Sequence, residues 1–166
     1  MKKKLTKLRE VELVVFDFDG VFTDNRVYVD QDGREMVSCW RSDGIGLKRI
    51  KDIGVKALVI SSEVNPVVVK RCKKLGIDCM TGCKDKLSVL KRIMQEQNSS
   101  HKNVCFVGND SPDIECLKYV GYPVAVKGST REVINVSKYV TKREGGAGAV
   151  REVCNLIYNA HEMWQK

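Results

Sequence analysis

The sequence has no apolar run near the roughly 18 residues of a membrane span. Its basic start, MKKKLTKLRE, is followed by more charge instead of the apolar stretch of a signal peptide. Both absences point to a cytoplasmic protein without a membrane partner. None of the seven cysteines (Cys39, Cys72, Cys79, Cys83, Cys105, Cys116, Cys154) forms a C-x-x-C pair, and their number is odd. Neither a zinc site nor a disulfide framework is therefore expected, and the thiols read as reduced and mostly buried. Linkers, internal repeats and low-complexity segments are also missing, which leaves one domain, residues 1–166, long enough for a real core. The net charge is +8, but the lysines and arginines are spread along the whole chain, with no aromatic interleaving and no recognition motif. No nucleic-acid partner is read from them. A basic surface serves equally well to attract anionic, phosphorylated metabolites.

What is present centres on residues 11–24, VELVVFDFDGVFTD. The apolar, β-branched run Val11, Leu13, Val14, Val15, Phe16 suits a strand buried on both faces of a parallel sheet. It stops at Asp17-Phe18-Asp19-Gly20. Two carboxylates two residues apart at a strand end point the same way while the strand pattern lasts, and they repel unless a cation sits between them. Hard carboxylate oxygens with open water positions suit Mg²⁺ when the substrate is a phosphate. The plainer alternative is a polar turn built from turn formers.

The remaining chain alternates strand-like and helix-like pieces. Residues 26–40 form a hairpin around Asp30-Gln31-Asp32-Gly33. Ser42-Asp43-Gly44 opens a helix of about ten residues that ends at Gly54. A strand over 55–60 leads to Ser61-Ser62-Glu63, and Pro66 starts a helix that runs from 67 to Gly76. Strand 77–80, helix 84–97 and strand 104–107 follow, the last running into Gly108-Asn109-Asp110-Ser111-Pro112-Asp113. A helix to Tyr119, strand 122–126, a helix near 130–136 and a short strand at 139–140 complete the alternation. Gly145-Gly146-Ala147-Gly148 reads as a flexible joint before a last helix from Ala149 to about Trp164. Repeated strand-helix units with unalternating apolar strands mean an α/β fold: a parallel sheet in a three-layer, Rossmann-like arrangement. The hairpin interrupts the alternation beside the Asp17/Asp19 end and is expected to form a flap or an oligomer contact.

If the sheet is parallel, one edge collects Asp17, Asp19, Ser61, Asp85-Lys86, Asn109, Asp110 and Asp113. Carboxylates and a carboxamide can hold a divalent cation, while a hydroxyl and an ammonium can take phosphoryl oxygens. Phosphoryl transfer asks mostly for positioning and charge neutralisation, and this set supplies both. Each piece alone has a bland reading: Ser61 as a helix cap, Lys86 as a solvated helix residue, Asp113 as a partner of a helix dipole.

Taken in order, DFDGVFTD, the Ser after the second strand, the Lys heading a later helix and GNDSPD resemble the four motifs of the haloacid dehalogenase superfamily of aspartate-nucleophile phosphatases. YVDQDGRE, RSDGIG, CKDKL, GNDSPDIECLKYVGYPVAV and GGAGAVRE are similar to its cap-less branch. That branch holds 3-deoxy-D-manno-octulosonate (KDO) 8-phosphate phosphatase, nonulosonate (KDN or sialic acid) 9-phosphate phosphatase and the C-terminal domain of CMP-sialate synthetases. The resemblance covers nearly the whole chain.

It implies Asp17 as nucleophile, forming an aspartyl-phosphate, and Asp19 as general acid and later base. Ser61 and Lys86 would hold phosphoryl oxygens. Mg²⁺ would sit on Asp17, the Asp19 carbonyl and Asn109, with Asp110 taking over if the Asn109 amide, which stands where many relatives carry Asp, ligates weakly. Asp43, Gly44, Ser62, Glu63, Arg71 and Arg151 are the implied substrate contacts, and Asp113 a structural support. Glu63, where octulosonate enzymes tend to carry Arg, and GNDSPDIEC favour a nonulosonate 9-phosphate over KDO 8-phosphate. Arg71 could pair with the 2-keto-acid carboxylate. The resemblance also implies a homotetramer in which the hairpin (26–40) and the glycine-hinged tail (143–166) close a neighbour's site, and a possible CMP-sialate synthetase partner. Two rival classes are a catalytically silent oligomerisation domain, in which the nucleophile position is typically lost, and a phospho-accepting receiver domain, which lacks the hairpin.

Overall fold

A computed structural model describes residues 6–163. Its centre is β1 (Leu13–Phe16), paired in parallel with β4 (Lys56–Ile60) on one side and β6 (Val104–Gly108) on the other. The six-stranded parallel sheet has the order β5-β4-β1-β6-β7-β8, with β5 (Asp78–Met80), β7 (Tyr122–Lys127) and β8 (Tyr139–Glu144) outside. The chain therefore builds outward from β1 through β4 to β5, then restarts at β6 in the opposite direction. Such a reversal opens a crevice at the carboxyl ends of the two central strands, where open α/β sheets bind ligands.

Strand side chains alternate between the two faces. Val14 and Phe16 pack with α1 (Asp43–Asp52), α2 (Val67–Leu75) and α6 (Ala149–Glu162) through Leu47, Ile50, Val68, Cys72, Val153 and Ile157. Leu13 and Val15 pack with α3 (Lys86–Glu96), α4 (Ile114–Tyr119) and α5 (Arg131–Val136) through Leu90, Ile93, Leu117 and Val133. With both faces covered, every residue of β1 is fully buried, which is why its sequence shows no polar alternation.

The hairpin is β2 (Thr23–Val29) and β3 (Glu35–Cys39), antiparallel and bulged between Thr23 and Val27. The Asp30 carboxylate closes its turn by accepting from the Asp32 and Arg34 amides, each at 2.9 Å. Val27, Tyr28, Val29 and Met36 are all more than half exposed.

Strand β8 is longer than its first two residues announce. Its last four residues, Thr141-Lys142-Arg143-Glu144, are polar because β8 is an edge strand whose N–H groups find side-chain partners. Glu152 of α6 accepts from Lys142 N at 2.9 Å and Arg143 N at 2.9 Å. The last helix is described to Glu162; its expected end at Trp164, and residues 164–166 of the tail, lie outside the described residues. Among the described residues no helix is long and apolar enough to cross a membrane.

Candidate active site

Asp17 leaves the end of β1 with its amide still bonded to Val107 O at 2.9 Å. The chain then folds into a tight turn, Phe22 N donating to Phe18 O at 2.8 Å. Phe18 stacks on Phe22 with centroids 5.7 Å apart, and Phe22 meets Phe16 edge-on at 5.4 Å. The aromatic trio is fully buried and anchors the loop that carries both aspartates.

Lys86, the first residue of α3, is 4% exposed. Asp85 caps that helix by accepting from Ser88 N at 3.0 Å, which turns Lys86 inward. Its ammonium donates to Asp17 Oδ1 at 2.7 Å and to Asp113 Oδ1 at 2.8 Å. Burial pulls the Lys86 pKa down, but the two carboxylates outweigh it and hold it above its ordinary value. Asp113 spends its second oxygen on the amides of Asn109 (2.9 Å) and Asp110 (3.3 Å). It therefore fixes both the ammonium and the loop after β6, which is more specific than partnering a helix dipole. Gly108 permits the approach: a Cβ there would stand 2.6 Å from Asp113 Oδ2.

Burial and the facing Asp113 charge raise Asp17 to about 7 despite Lys86. Burial and the neighbouring Glu63 carboxylate push Asp19 up as well. Two acids of unequal burial, one tied to an ammonium and one only partly buried, suit a nucleophile and a proton donor respectively.

The Asn109 side chain turns one polar atom to the Asp19 carbonyl oxygen at 2.9 Å and to Asp17 Oδ2 at 3.1 Å. If that atom is the amide oxygen, three oxygens converge with no proton between them. Mg²⁺ with oxygens at 2.0–2.1 Å in octahedral geometry sets neighbouring ligands about 3 Å apart. The observed spacing fits that edge, so Asp17, the Asp19 carbonyl and Asn109 are suited to a hard divalent cation. With the amide turned the other way, its NH₂ donates to both oxygens and fills the same place. No group of three His, Cys, Asp or Glu side chains among the described residues forms a metal cluster, because this cradle uses one carboxylate, one main-chain carbonyl and one amide.

Asp110 does not join the cradle. It is exposed, and its Oδ1 accepts from Ser111 N at 2.7 Å, closing a capping box with Asp113. Ser61, 1% exposed, lies at the end of β4; its Oγ accepts from Glu63 N at 3.0 Å, leaving its own proton to donate. Ser62 is exposed. Glu63 folds back to accept from Val64 N and Asn65 N at 2.6 and 2.8 Å. Arg71 donates to Trp40 O at 3.1 Å, while its Nε is buried without a hydrogen-bond partner. Arg71, Arg41 and Lys74 line a cavity of about 330 Å³ with Cys39, Gly44 and Ile45. Sequence reading singled out neither Arg41 nor Lys74, since a lone cation in a basic chain carries no signal.

Of the expected substrate contacts, Asp43 and Arg151 meet each other. Asp43 is fully buried and accepts from Arg151 N at 3.0 Å, and the Arg151 guanidinium donates to Ser42 O at 3.3 Å. The pair locks α6 onto α1. Nor is the 145–148 segment a loose joint: Gly145 is buried, and a Cβ on it would stand 2.0 Å from Gly20 O. The glycine density reflects close packing against the aspartate loop.

The chain matches the haloacid dehalogenase-like hydrolase family over residues 54–153. It is 32% identical over 154 residues to the 3-deoxy-D-manno-octulosonate 8-phosphate phosphatase of Salmonella typhi, covering 92% of this chain and 82% of that one. The crystal structure of the corresponding phosphatase from Moraxella catarrhalis, in complex with magnesium, phosphate and KDO, superimposes with a TM-score of 0.94 at 30% identity, covering 99% of this chain and 95% of that one. Similarity also extends to N-acylneuraminate cytidylyltransferase A of Danio rerio, 31% identical over 149 residues, 89% of this chain and 35% of that protein. The expected superfamily is borne out together with the α/β fold: the chain belongs to the haloacid dehalogenase-like hydrolases, among relatives of the KDO 8-phosphate phosphatases.

Proposed function

We propose that the protein is a Mg²⁺-dependent phosphatase acting on 2-keto-3-deoxy sugar acid phosphates. The observation that carries this reading is the Asp17–Lys86–Asp113 relay, set beside the three-oxygen cradle of Asp17, the Asp19 carbonyl and Asn109. The cation, when bound, supplies charge neutralisation for the phosphoryl group. Asp17 attacks phosphorus to form an aspartyl-phosphate, and Asp19 donates its proton to the departing alcohol oxygen. Asp19 then withdraws a proton from the water that releases phosphate. Ser61 Oγ–H and the Lys86 ammonium hold phosphoryl oxygens. The Arg41/Arg71/Lys74 cavity is a fitting place for the sugar-acid carboxylate, since three cationic side chains line it.

Among these substrates a nonulosonate 9-phosphate is the preferred reading, supported by Glu63, a carboxylate near Asp19 that can accept from sugar hydroxyls. The second reading, KDO 8-phosphate, is favoured by the relatives named above. The exposed apolar hairpin supports a homotetramer closing the site, and the cytidylyltransferase similarity supports a synthetase partner. Seven free thiols accord with a cytoplasmic setting. The test is phosphate release with Mg²⁺ from N-acetylneuraminate 9-phosphate, KDN 9-phosphate and KDO 8-phosphate, with light scattering for assembly. Turnover of a nonulosonate phosphate above KDO 8-phosphate supports the preferred reading; the reverse ranking establishes the second; no turnover of any sugar by the folded protein refutes both.

A further inference from the structure

Three glycine-dependent contacts join segments far apart in the chain. Gly145 lies on the loop after β1: a Cβ on it would meet Gly20 O at 2.0 Å, Gly20 C at 2.5 Å and Thr23 O at 2.6 Å. Gly146, at φ +65°, lies on the next stretch of the same loop, where a Cβ would meet Asp24 N at 2.4 Å. Its own N–H donates to Val21 O at 3.4 Å. Gly20 in turn is pressed on Asn109: a Cβ there would stand 2.1 Å from Asn109 Nδ2 and 2.7 Å from its Cγ. Asn109 passes the contact on to the Asp19 carbonyl and Asp17 Oδ2. At each step main chain touches main chain or a short amide, so no flexible side chain is available to absorb a displacement.

The 145–146 turn is itself held rigidly. Gly148 lies between Arg143 Cδ and the Trp40 ring, each about 3.1–3.3 Å from where its Cβ would be. Glu152 ties the preceding strand to α6, and Asp43 ties α6 to α1. A rigid turn bearing on a loop whose carbonyl is one wall of the cradle fixes the height of that wall.

We infer that Gly145 and Gly146 are positioning residues for the cation: the turn before the last helix sets, through Gly20, the distance between the Asp19 carbonyl and the Asn109 amide, and so the affinity of the cradle for a divalent ion. The inference rests on the cradle reading above. Because the turn touches neither the phosphoryl ligands nor the Arg41/Arg71/Lys74 cavity, its effect falls on metal binding and not on sugar recognition.

The experiment compares Gly145→Ala with Gly54→Ala by calorimetric titration with Mg²⁺, alongside thermal melts in EDTA. Gly54, before β4 at the far end of the sheet, has a positive φ, +81°, and nothing within 4 Å of its would-be Cβ, so Gly54→Ala carries backbone strain without the contact. Gly145→Ala is expected to weaken Mg²⁺ binding about tenfold or more, since octahedral Mg²⁺ tolerates little change in ligand spacing. Gly54→Ala is expected to melt earlier with unchanged Mg²⁺ affinity. At saturating Mg²⁺, KM for the sugar phosphate should move less than about twofold in Gly145→Ala, as for a residue outside substrate binding. For the case in which Gly145→Ala does not fold, the wild-type protein gives the reciprocal measurement: Mg²⁺ must slow amide exchange at Gly146 and leave Gly54 N–H, bonded to Lys51 O at 3.0 Å, unaffected. Equal Mg²⁺ affinity in a folded Gly145→Ala, equal losses in both variants, or Gly146 exchange indifferent to Mg²⁺ overturns the inference. Failure of the wild-type protein to bind Mg²⁺ at all overturns the cradle instead.

Discussion

Replacing Lys86 with Met tests the buried relay with nearly unchanged side-chain length. In the native protein the ammonium of Lys86, whose side chain is 3% exposed, is held between Asp17 at 2.7 Å and Asp113 at 2.8 Å. Without it, two buried carboxylates face one another with no counter-charge. Breaking a buried ion pair by removing one partner costs about 3–5 kcal/mol. At about 2–4 °C per kcal/mol for a protein of this size, the melting temperature should fall by about 10 °C in EDTA at pH 7.5. The pH dependence has a definite sign. Asp17 is raised to about 7 in the folded state even beside Lys86, against 3.8 ordinarily. The folded state therefore binds more protons than the unfolded state between those values, and stability falls as pH rises through that window. Loss of the ammonium raises Asp17 further and steepens the slope, so the deficit of Lys86→Met should shrink between pH 7.5 and pH 5. Urea melts at both pH values measure it. A variant as stable as the wild type at pH 7.5, or a deficit that grows on acidification, would refute the reasoning.

Asn109→Asp restores a charge to the cradle. It should tighten Mg²⁺ binding about tenfold or more in calorimetry, a carboxylate being the harder and charged ligand, while lowering the melting point in EDTA; unchanged affinity contradicts the assignment of Asn109. Asp43 is raised to about 6 by burial, against the Arg151 N–H and the Arg71 and Arg151 charges that lower it. Its ionisation therefore costs stability as pH rises from about 4 to about 6, and Asp43→Asn should remove that slope and gain about 1–3 kcal/mol at pH 7.5. Urea midpoints at pH 4.5 and 7.5 read it, and loss of stability at both would show that the carboxylate is needed charged.

Much of the fold is legible in the sequence because a strand covered on both faces must be apolar throughout, as Leu13 to Phe16 are. Strand-end polar residues then fall on one edge, and Asp17, Ser61, Lys86 and Asn109 do gather at the carboxyl ends of the central strands. What the sequence leaves unread is long-range packing. Asp43 opens α1, as its sequence suggests, but its carboxylate accepts from Arg151 N of α6, and no local pattern announces that partner. Asp110 and Asp113 are chemically alike in sequence. Only the Lys86 ammonium, 27 positions from Asp113, separates the buried one from the exposed cap. The 145–148 glycines have the composition of a flexible joint because close contact of two main chains and freedom of one both require the absent Cβ.

The central claim is that Asp17 carries the phosphoryl group between substrate and water. It is tested most directly by acid-quenching the protein during turnover of a sugar-acid phosphate and mapping the label by mass spectrometry. The account predicts one phosphoryl group on the peptide holding Asp17, absent from Asp17→Asn. Phosphate release with no labelled peptide in the burst, or a label on any other residue, would contradict it.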